Sequence, residues 1–577
     1  MHFKSMYPDI PPLPPGNIHN LCLRRPDQAD WPDYTVQIEA KTGKSRTFRE
    51  FIQRVDYAAT ALGGPFNKGC LGLCAEKNDI IGIMSENSMD YVTFVHACLA
   101  IATPFALISS YSTRFELKHA LQLSKSTCLF VDDKFIPLVL PVAKELGISS
   151  KKIYVMSGHV SGRKSFAQMI DEVRIKKVEK VGVKEATEDT LAYLVFSSGT
   201  SGLPKAVMLS HGNIKVSFGQ MIVLAQEVAE VYTPPEPKTP DGLPKTLAFL
   251  PMHHSYGLHT YCFRAFVAPN TMVILPKWNT DLALSVIPKY KVTHLPLIPS
   301  VVHQLVHHPK TAKTDFSSVM MVGCGAAYLP VELGQRMAAI IPVEANFAEG
   351  YGMSECSISA VTQPHPGTLG GRGKKVLGTT GILLPGMEAR IVREDGSGAD
   401  VDEVGELWLK GPNIALGYWN NEKANRETFV DGWLHTGDRF RVDKDGYFFY
   451  ADRAKDTLKV SGAQVSPVEI ENVLLLHPQR IIQDATVAGV SGGRTSDEKV
   501  PRAWVVLSQS GKKMGAGAVV KELERWHQEN LSRYKWLRGG IEVVKELPKN
   551  PTGKTLRRVL QDKYEREVAS GKVKGKL

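Results

Sequence analysis

Residues 80–108 read IIGIMSENSMDYVTFVHACLAIATPFALI. Ile80-Ile81-Gly82-Ile83-Met84 is short and apolar throughout, the composition of a strand buried on both faces. Asn87 follows it, and a helix is predicted to run through Tyr91 to Ala100. The apolar stretch extends over residues 92–108, but His96, Thr103 and Pro104 interrupt it. Proline cannot continue a helix, so this is a buried helix leading into a strand and not a membrane span.

The same alternation continues outward. Thr127-Cys128-Leu129-Phe130-Val131 reads as the next strand, closed by Asp132 and Asp133. Helical periods alternating with short β-branched runs predict an α/β architecture with largely parallel sheets, which place ligands at their strand ends and loops. At 577 residues the chain is too long for one core, so two or more unequal domains are expected. The proline-rich start MHFKSMYPDIPPLPPG lacks the apolar core of a signal peptide, and TPPEPKTPDGLPK at 233–245 marks an exposed loop. From about Val401 the texture turns to tight turns and short strands, as at 404–411. A last segment with helices at 466–476 and 517–531 places the domain break between 1–453 and 454–577.

Hydrophobic residues at 43% and charged residues at 22% place the chain among soluble globular proteins. The net charge of +11 suits an anionic partner such as a nucleotide, CoA or a membrane surface. Its lysines and arginines are spread, and no stripe of interleaved aromatic and basic residues supports nucleic acid as the partner. No transmembrane segment is expected, and peripheral membrane contact is left open. Eight cysteines without a CxxC pair argue against a zinc site or a disulfide framework and for a reducing, cytoplasmic setting. The terminal Gly575-Lys576-Leu577 is similar to the peroxisomal address, with Gly in place of Ser.

Four segments carry chemistry. Ser197-Ser198-Gly199-Thr200-Ser201-Gly202-Leu203-Pro204-Lys205 follows an apolar run. Its glycines let backbone amides cup an anion, its hydroxyls add donors, and its lysine adds charge. It is a phosphate-gripping loop without Walker spacing, or else a polar surface turn. Glu349-Gly350-Tyr351-Gly352-Met353-Ser354-Glu355 presents a carboxylate suited to Mg²⁺ beside phosphate oxygens, or a solvated glutamate on a turn. Asp438, after Trp433-Leu434-His435-Thr436-Gly437, suits two ribose hydroxyls or a plain acidic turn. Lys554 is presented by Leu547-Pro548-Lys549-Asn550-Pro551-Thr552-Gly553, where a lone lysine is otherwise surface charge.

In this order the four segments resemble the adenylate-forming superfamily of acyl-CoA synthetases, coumarate-CoA ligases and beetle luciferases. The resemblance covers nearly the whole chain. It implies a large N-terminal domain of packed α/β sheets with a small β-barrel, and a smaller, mobile α+β C-terminal lid. It also implies ATP-dependent activation of a carboxylic acid to acyl-AMP with release of pyrophosphate, then transfer to CoA. Delivery to a carrier-protein thiol or another acceptor is the alternative, followed by a non-catalytic nucleotide-binding protein. By matched motif, Ser197, Ser198, Gly199, Thr200, Ser201, Gly202 and Lys205 would hold the β- and γ-phosphates, and Glu355 would bind Mg²⁺. Ser354 would touch the α-phosphate, Asp438 and Arg453 the ribose, and Gly325, Ala326, Ala327 and Tyr351 the adenine. His254 looks like the active-site histidine between the acyl pocket and the phosphates. Lys554 would catalyse adenylation, Lys455 would be the hinge, and Lys459 with Gly462 would serve the thiol step.

Departures are few. Ser201 stands for the usual Thr, Ala206 for Gly, Tyr328 for Pro and Glu349 for Gln, and residues 65–77 look inserted. None removes a catalytic group. Tyr256, Thr260, Met321, Ile358 and Ser359 would line the acyl pocket by the resemblance. This mixed, moderately apolar wall suits an aryl or medium-chain acid, with no Arg or Lys evident to hold a second carboxylate.

Overall fold

Residues 80–108 form the strand Ile81–Met84, the helix Met89–Ala100 and the strand Phe105–Leu107. The Ser88 hydroxyl caps the helix by accepting from the Tyr91 N–H. Ala102 ends it at a φ of 47°, and Pro104 follows two residues later. Every helix residue except Asp90 is buried, which explains the lack of a polar face in the sequence. Burying side chains such as Val92, Phe94 and Leu99 contributes about 1.5–3 kcal/mol each. Asp90 receives hydrogen bonds from Arg46 and Arg54, so its carboxylate is paired.

The computed structural model describes the chain except for residues 198–202, 327, 328, 330, 454–457, 461, 462, 493–498, 549–554 and 571–577, and the side chains of residues 332, 452, 453, 459, 463, 464 and 468. It divides into two compact units. The larger comprises Met1–Ser110, Leu121–Phe196 and Ala206–Asp452; the smaller comprises Tyr111–Ala120, Ser197–Lys205 and Arg453–Leu577.

In the larger unit, Ile81–Met84 lies between Phe105–Leu107 and Cys128–Val131, parallel to both, in a seven-stranded sheet. A nine-stranded sheet has a parallel centre in which Asn346–Tyr351, Met321–Cys324, His294–Leu297, Lys245–Ala248, Thr271–Ile274 and Thr35–Glu39 are successive neighbours. Helices cover such sheets because their strands are apolar on both faces. The third sheet is antiparallel and six-stranded, built from His2–Lys4, Glu388–Val392, Gly405–Lys410, Trp433–Val442, Phe429–Val430 and Phe448–Arg453.

The smaller unit has its own core. Its three-stranded sheet pairs Ile482–Ser491 antiparallel and Ile541–Val544 parallel with Lys499–Leu507. The helices Pro467–Leu475, Ala516–Asn530 and Arg557–Ala569 belong to the same unit. The fold is thus mixed α/β, with a large body of several sheets and a smaller C-terminal one. Among the described residues, no helix is long and apolar enough to cross a membrane, and no cluster of His, Cys, Asp and Glu is grouped to hold a metal. All eight cysteines are free.

Candidate active site

The strand Asn346–Tyr351 ends in a bend that only glycine permits. A Cβ on Gly352 would lie 1.8 Å from the Ile358 carbonyl oxygen and 2.6 Å from the Ser359 Cα. The chain therefore doubles back, and the short 3₁₀ turn Ser354–Cys356 sits just beyond the strand end. The Asn413 amide braces the bend by donating to the carbonyls of Cys356 and Ser359, each at 3.1 Å.

Glu355 is 3% exposed and accepts a hydrogen bond from the Tyr418 hydroxyl at 2.9 Å. The Ser354 hydroxyl accepts from Ser255 at 2.9 Å, tying the bend to the segment that carries His254. His254 Nδ1 accepts from the Tyr256 N–H at 3.4 Å, which puts the ring proton on Nε2. Burial holds the His254 pKa below its ordinary value, so the ring is neutral at pH 7. Asp438, itself buried, accepts from the Tyr351 hydroxyl at 2.8 Å, and the Tyr351 ring packs edge-on against Phe440.

These groups border a cavity of about 1040 Å³ inside the larger unit. His254, Tyr256, Met321, Gly325, Ala326, Tyr351, Ser354, Ile358 and Ser359 all line it. Thr260 does not. Glu355 and Asp438 stand behind the wall, joined to it through Ser354 and Tyr351. Ser197 and Lys205 belong to the smaller unit. Ser198, Gly199, Thr200, Ser201, Gly202, Ala327, Lys455, Gly462 and Lys554 lie outside the described residues, as do the side chains of Arg453 and Lys459.

The structure corrects one expectation and adds three residues. The cavity does hold cationic side chains: Arg264 lines it, as does the exposed Lys238. A π turn over His259–Phe263, which takes more residues per turn than an α-helix, leads into Arg264, and both Tyr256 and Arg264 line the cavity. Irregular turns of this kind leave no mark on the sequence. Glu349 also lines the cavity, and burial raises its pKa to about 7. Tyr418, the partner of Glu355, lies 63 residues further along the chain and had no local motif to announce it.

Known proteins resemble this chain in sequence and fold. A family model described as AMP-binding enzyme matches residues 25–419, and one described as AMP-binding enzyme C-terminal domain matches residues 469–554. Probable 4-coumarate–CoA ligase 3 of Dictyostelium discoideum is 31% identical over 582 residues, covering 97% of each chain. Peroxisomal OPC-8:0-CoA ligase 1 of Arabidopsis thaliana is 31% identical over 91% of this chain and 89% of its own. Among solved structures, o-succinylbenzoate CoA synthetase of Bacillus subtilis superposes with a TM-score of 0.75 at 24% identity, covering 95% of this chain and 98% of that one. Amide bond synthetase McbA of Marinactinospora thermotolerans gives 0.76 at 20% identity, covering 95% and 99%. At such identities the likeness is one of fold. With both family domains matched in order along one chain, this protein belongs to the AMP-binding enzymes.

Proposed function

We propose that the chain is an acid–thiol ligase that activates a carboxylic acid with ATP and passes the acyl group to CoA. One observation carries this reading: His254, Ser354 and Tyr351 share a single cavity wall with the acyl-pocket positions Tyr256, Met321, Ile358 and Ser359. In the first half-reaction a carboxylate oxygen attacks the α-phosphorus, the new O–P bond forms, and pyrophosphate leaves. Neutral His254 and the Ser354 hydroxyl offer hydrogen bonds there without adding a fixed charge. Asp438 suits the ribose hydroxyls, its carboxylate held by Tyr351. The residues that would hold Mg²⁺ are hard oxygen donors, the Ser354 hydroxyl on the cavity wall and the buried Glu355 carboxylate next to it in the chain. When bound, that ion would draw charge from phosphate oxygens.

Negative charge spreads over carboxylate and phosphate oxygens as the bond forms, and we assign Lys554 to stabilise it in the transition state. Lys459 is assigned to the thiol step, with Lys455 as the pivot between the two. Lys554→Ala is therefore expected to lower pyrophosphate release by about a hundredfold or more while sparing thioester formation from preformed acyl-adenylate. Lys459→Ala should do the reverse. Equal losses in both half-reactions for both variants would remove this assignment.

The deciding experiment measures acid-dependent pyrophosphate release with and without CoA, with thioester mass as the second readout. Release without thioester points to another acceptor; no release with any acid ends the reading. A cytoplasmic site goes with the eight free cysteines, and cell fractionation with and without the last three residues tests the peroxisomal alternative.

A further inference from the structure

Arg264 is an uncommon residue to find in an acyl cavity. Nη2 donates to the Ser217 hydroxyl at 3.2 Å, while Nε is closed off from solvent and has no hydrogen-bond partner. Ser217 in turn meets His259 Nδ1 at 3.3 Å, and His259 Nε2 meets the Tyr193 hydroxyl at 2.6 Å. This chain fixes the guanidinium in place, but every member of it is neutral, since burial keeps His259 well below its ordinary pKa. The groups whose charge Arg264 feels are Tyr256 and Cys356, and burial pushes both of these up, so they too are uncharged at neutral pH. Glu227, Glu236, Glu344 and Glu349 line the same cavity, and among the described residues none of them pairs with it. The side chain is partly accessible and lines the cavity.

A buried cation without a counter-ion is costly, and proteins that keep one for structural reasons supply a carboxylate. Among the described residues none is supplied, and the planar fork of donors matches a carboxylate's two oxygens. We propose that Arg264 selects the substrate: the acid that this enzyme activates carries a second carboxylate, remote from the reacting one, which Arg264 binds as its counter-ion. The inference rests on the adenylation reading above and names its substrate class. The reacting carboxylate stays at the His254 and Ser354 end, and the second one is unchanged by the reaction.

The test pairs α,ω-dicarboxylic acids with monocarboxylic acids of equal carbon number, from four to twelve carbons. Pyrophosphate release by the full-length enzyme is followed with MgATP and CoA. The best diacid is expected to exceed its matched monoacid at least tenfold in kcat/KM. Arg264→Leu should lower that ratio at least tenfold, mainly through the KM of the diacid, and Arg264→Lys should restore part of it. A wild-type enzyme that favours monoacids at every length overturns the proposal, as does an Arg264→Leu variant that loses both activities equally. Because the wild-type ratio decides by itself, misfolding of a variant does not rescue the idea. Turnover of monoacids alone would leave adenylation standing and this inference fallen; no turnover of any acid sinks both.

Discussion

Glu349 shows how a single cavity residue links pH to stability. Burial raises its pKa from 4.5 to about 7. Over that window the native state holds a proton that the unfolded chain releases, so stability falls as pH rises from about 4.5 to 7. The full shift corresponds to roughly 3 kcal/mol at about 1.4 kcal/mol per unit. Partial access to the cavity screens it to about 1–2 kcal/mol. Glu349→Gln has nothing to ionise, so its melting temperature should match the wild type at pH 5 and exceed it at pH 8. Parallel pH curves for the two proteins would refute this. His254, Ser354 and Glu355 were named from the resemblance of their motifs to a family, and the structure sets His254 and Ser354 on the cavity wall with Glu355 next to it in the chain. Arg264 and Tyr418 were not legible in the sequence, because a π turn and a partner 63 residues away decide where their side chains go.

The buried strands were legible among the elements because they are continuous apolar runs, and the helix Met89–Ala100 because His96 and Pro104 argued against a membrane span. Sheet order was not. The N-terminal strand Thr35–Glu39 pairs with Thr271–Ile274, a neighbour more than two hundred residues away that no local pattern specifies. The bend after Asn346–Tyr351 is the element on which the site depends, and its glycines differ in how much they tolerate. At Gly350 a Cβ would meet the Val361 carbonyl oxygen at 3.1 Å, a tight contact that small shifts relieve. At Gly352 the 1.8 Å approach to the Ile358 carbonyl is backbone against backbone. Gly352→Ala must therefore push residues 358 and 359 out of the cavity wall. It should cost about 3 kcal/mol or more and remove most adenylation activity, with Gly350→Ala much milder. Thermal melts and pyrophosphate release on both variants check the ranking; equal effects would mean that the bend gives way easily.

At the scale of the whole molecule, two units with separate cores should not unfold as one two-state system. The smaller unit contains a buried charge cluster that makes this measurable. Lys535 Nζ donates to Glu116 and to Glu469, at 2.7 Å each, and all three residues are buried. Ser532 also donates to Glu116. Burial raises the Glu469 pKa above its ordinary value, while Lys535, outweighing burial, pulls Glu116 below. Glu469 thus holds its proton more readily than Glu116 does. Lys535→Met removes the cation and leaves two buried carboxyls facing each other, a change that costs about 3–5 kcal/mol when one partner of a buried pair is lost. Without Lys535 both carboxyls should titrate above the unfolded value, so the penalty grows as pH rises beyond that value and shrinks in acid. Hydrogen exchange at pH 5.5 and pH 8 reads this out by region. Amides of Ile482–Ser491 and Lys499–Leu507 should lose protection at pH 8 and recover much of it at pH 5.5, while those of Ile81–Met84 and Phe105–Leu107 stay unchanged. Loss of protection spread evenly over both units would show that they unfold together, and an unchanged smaller unit would show that the cluster contributes nothing to its stability.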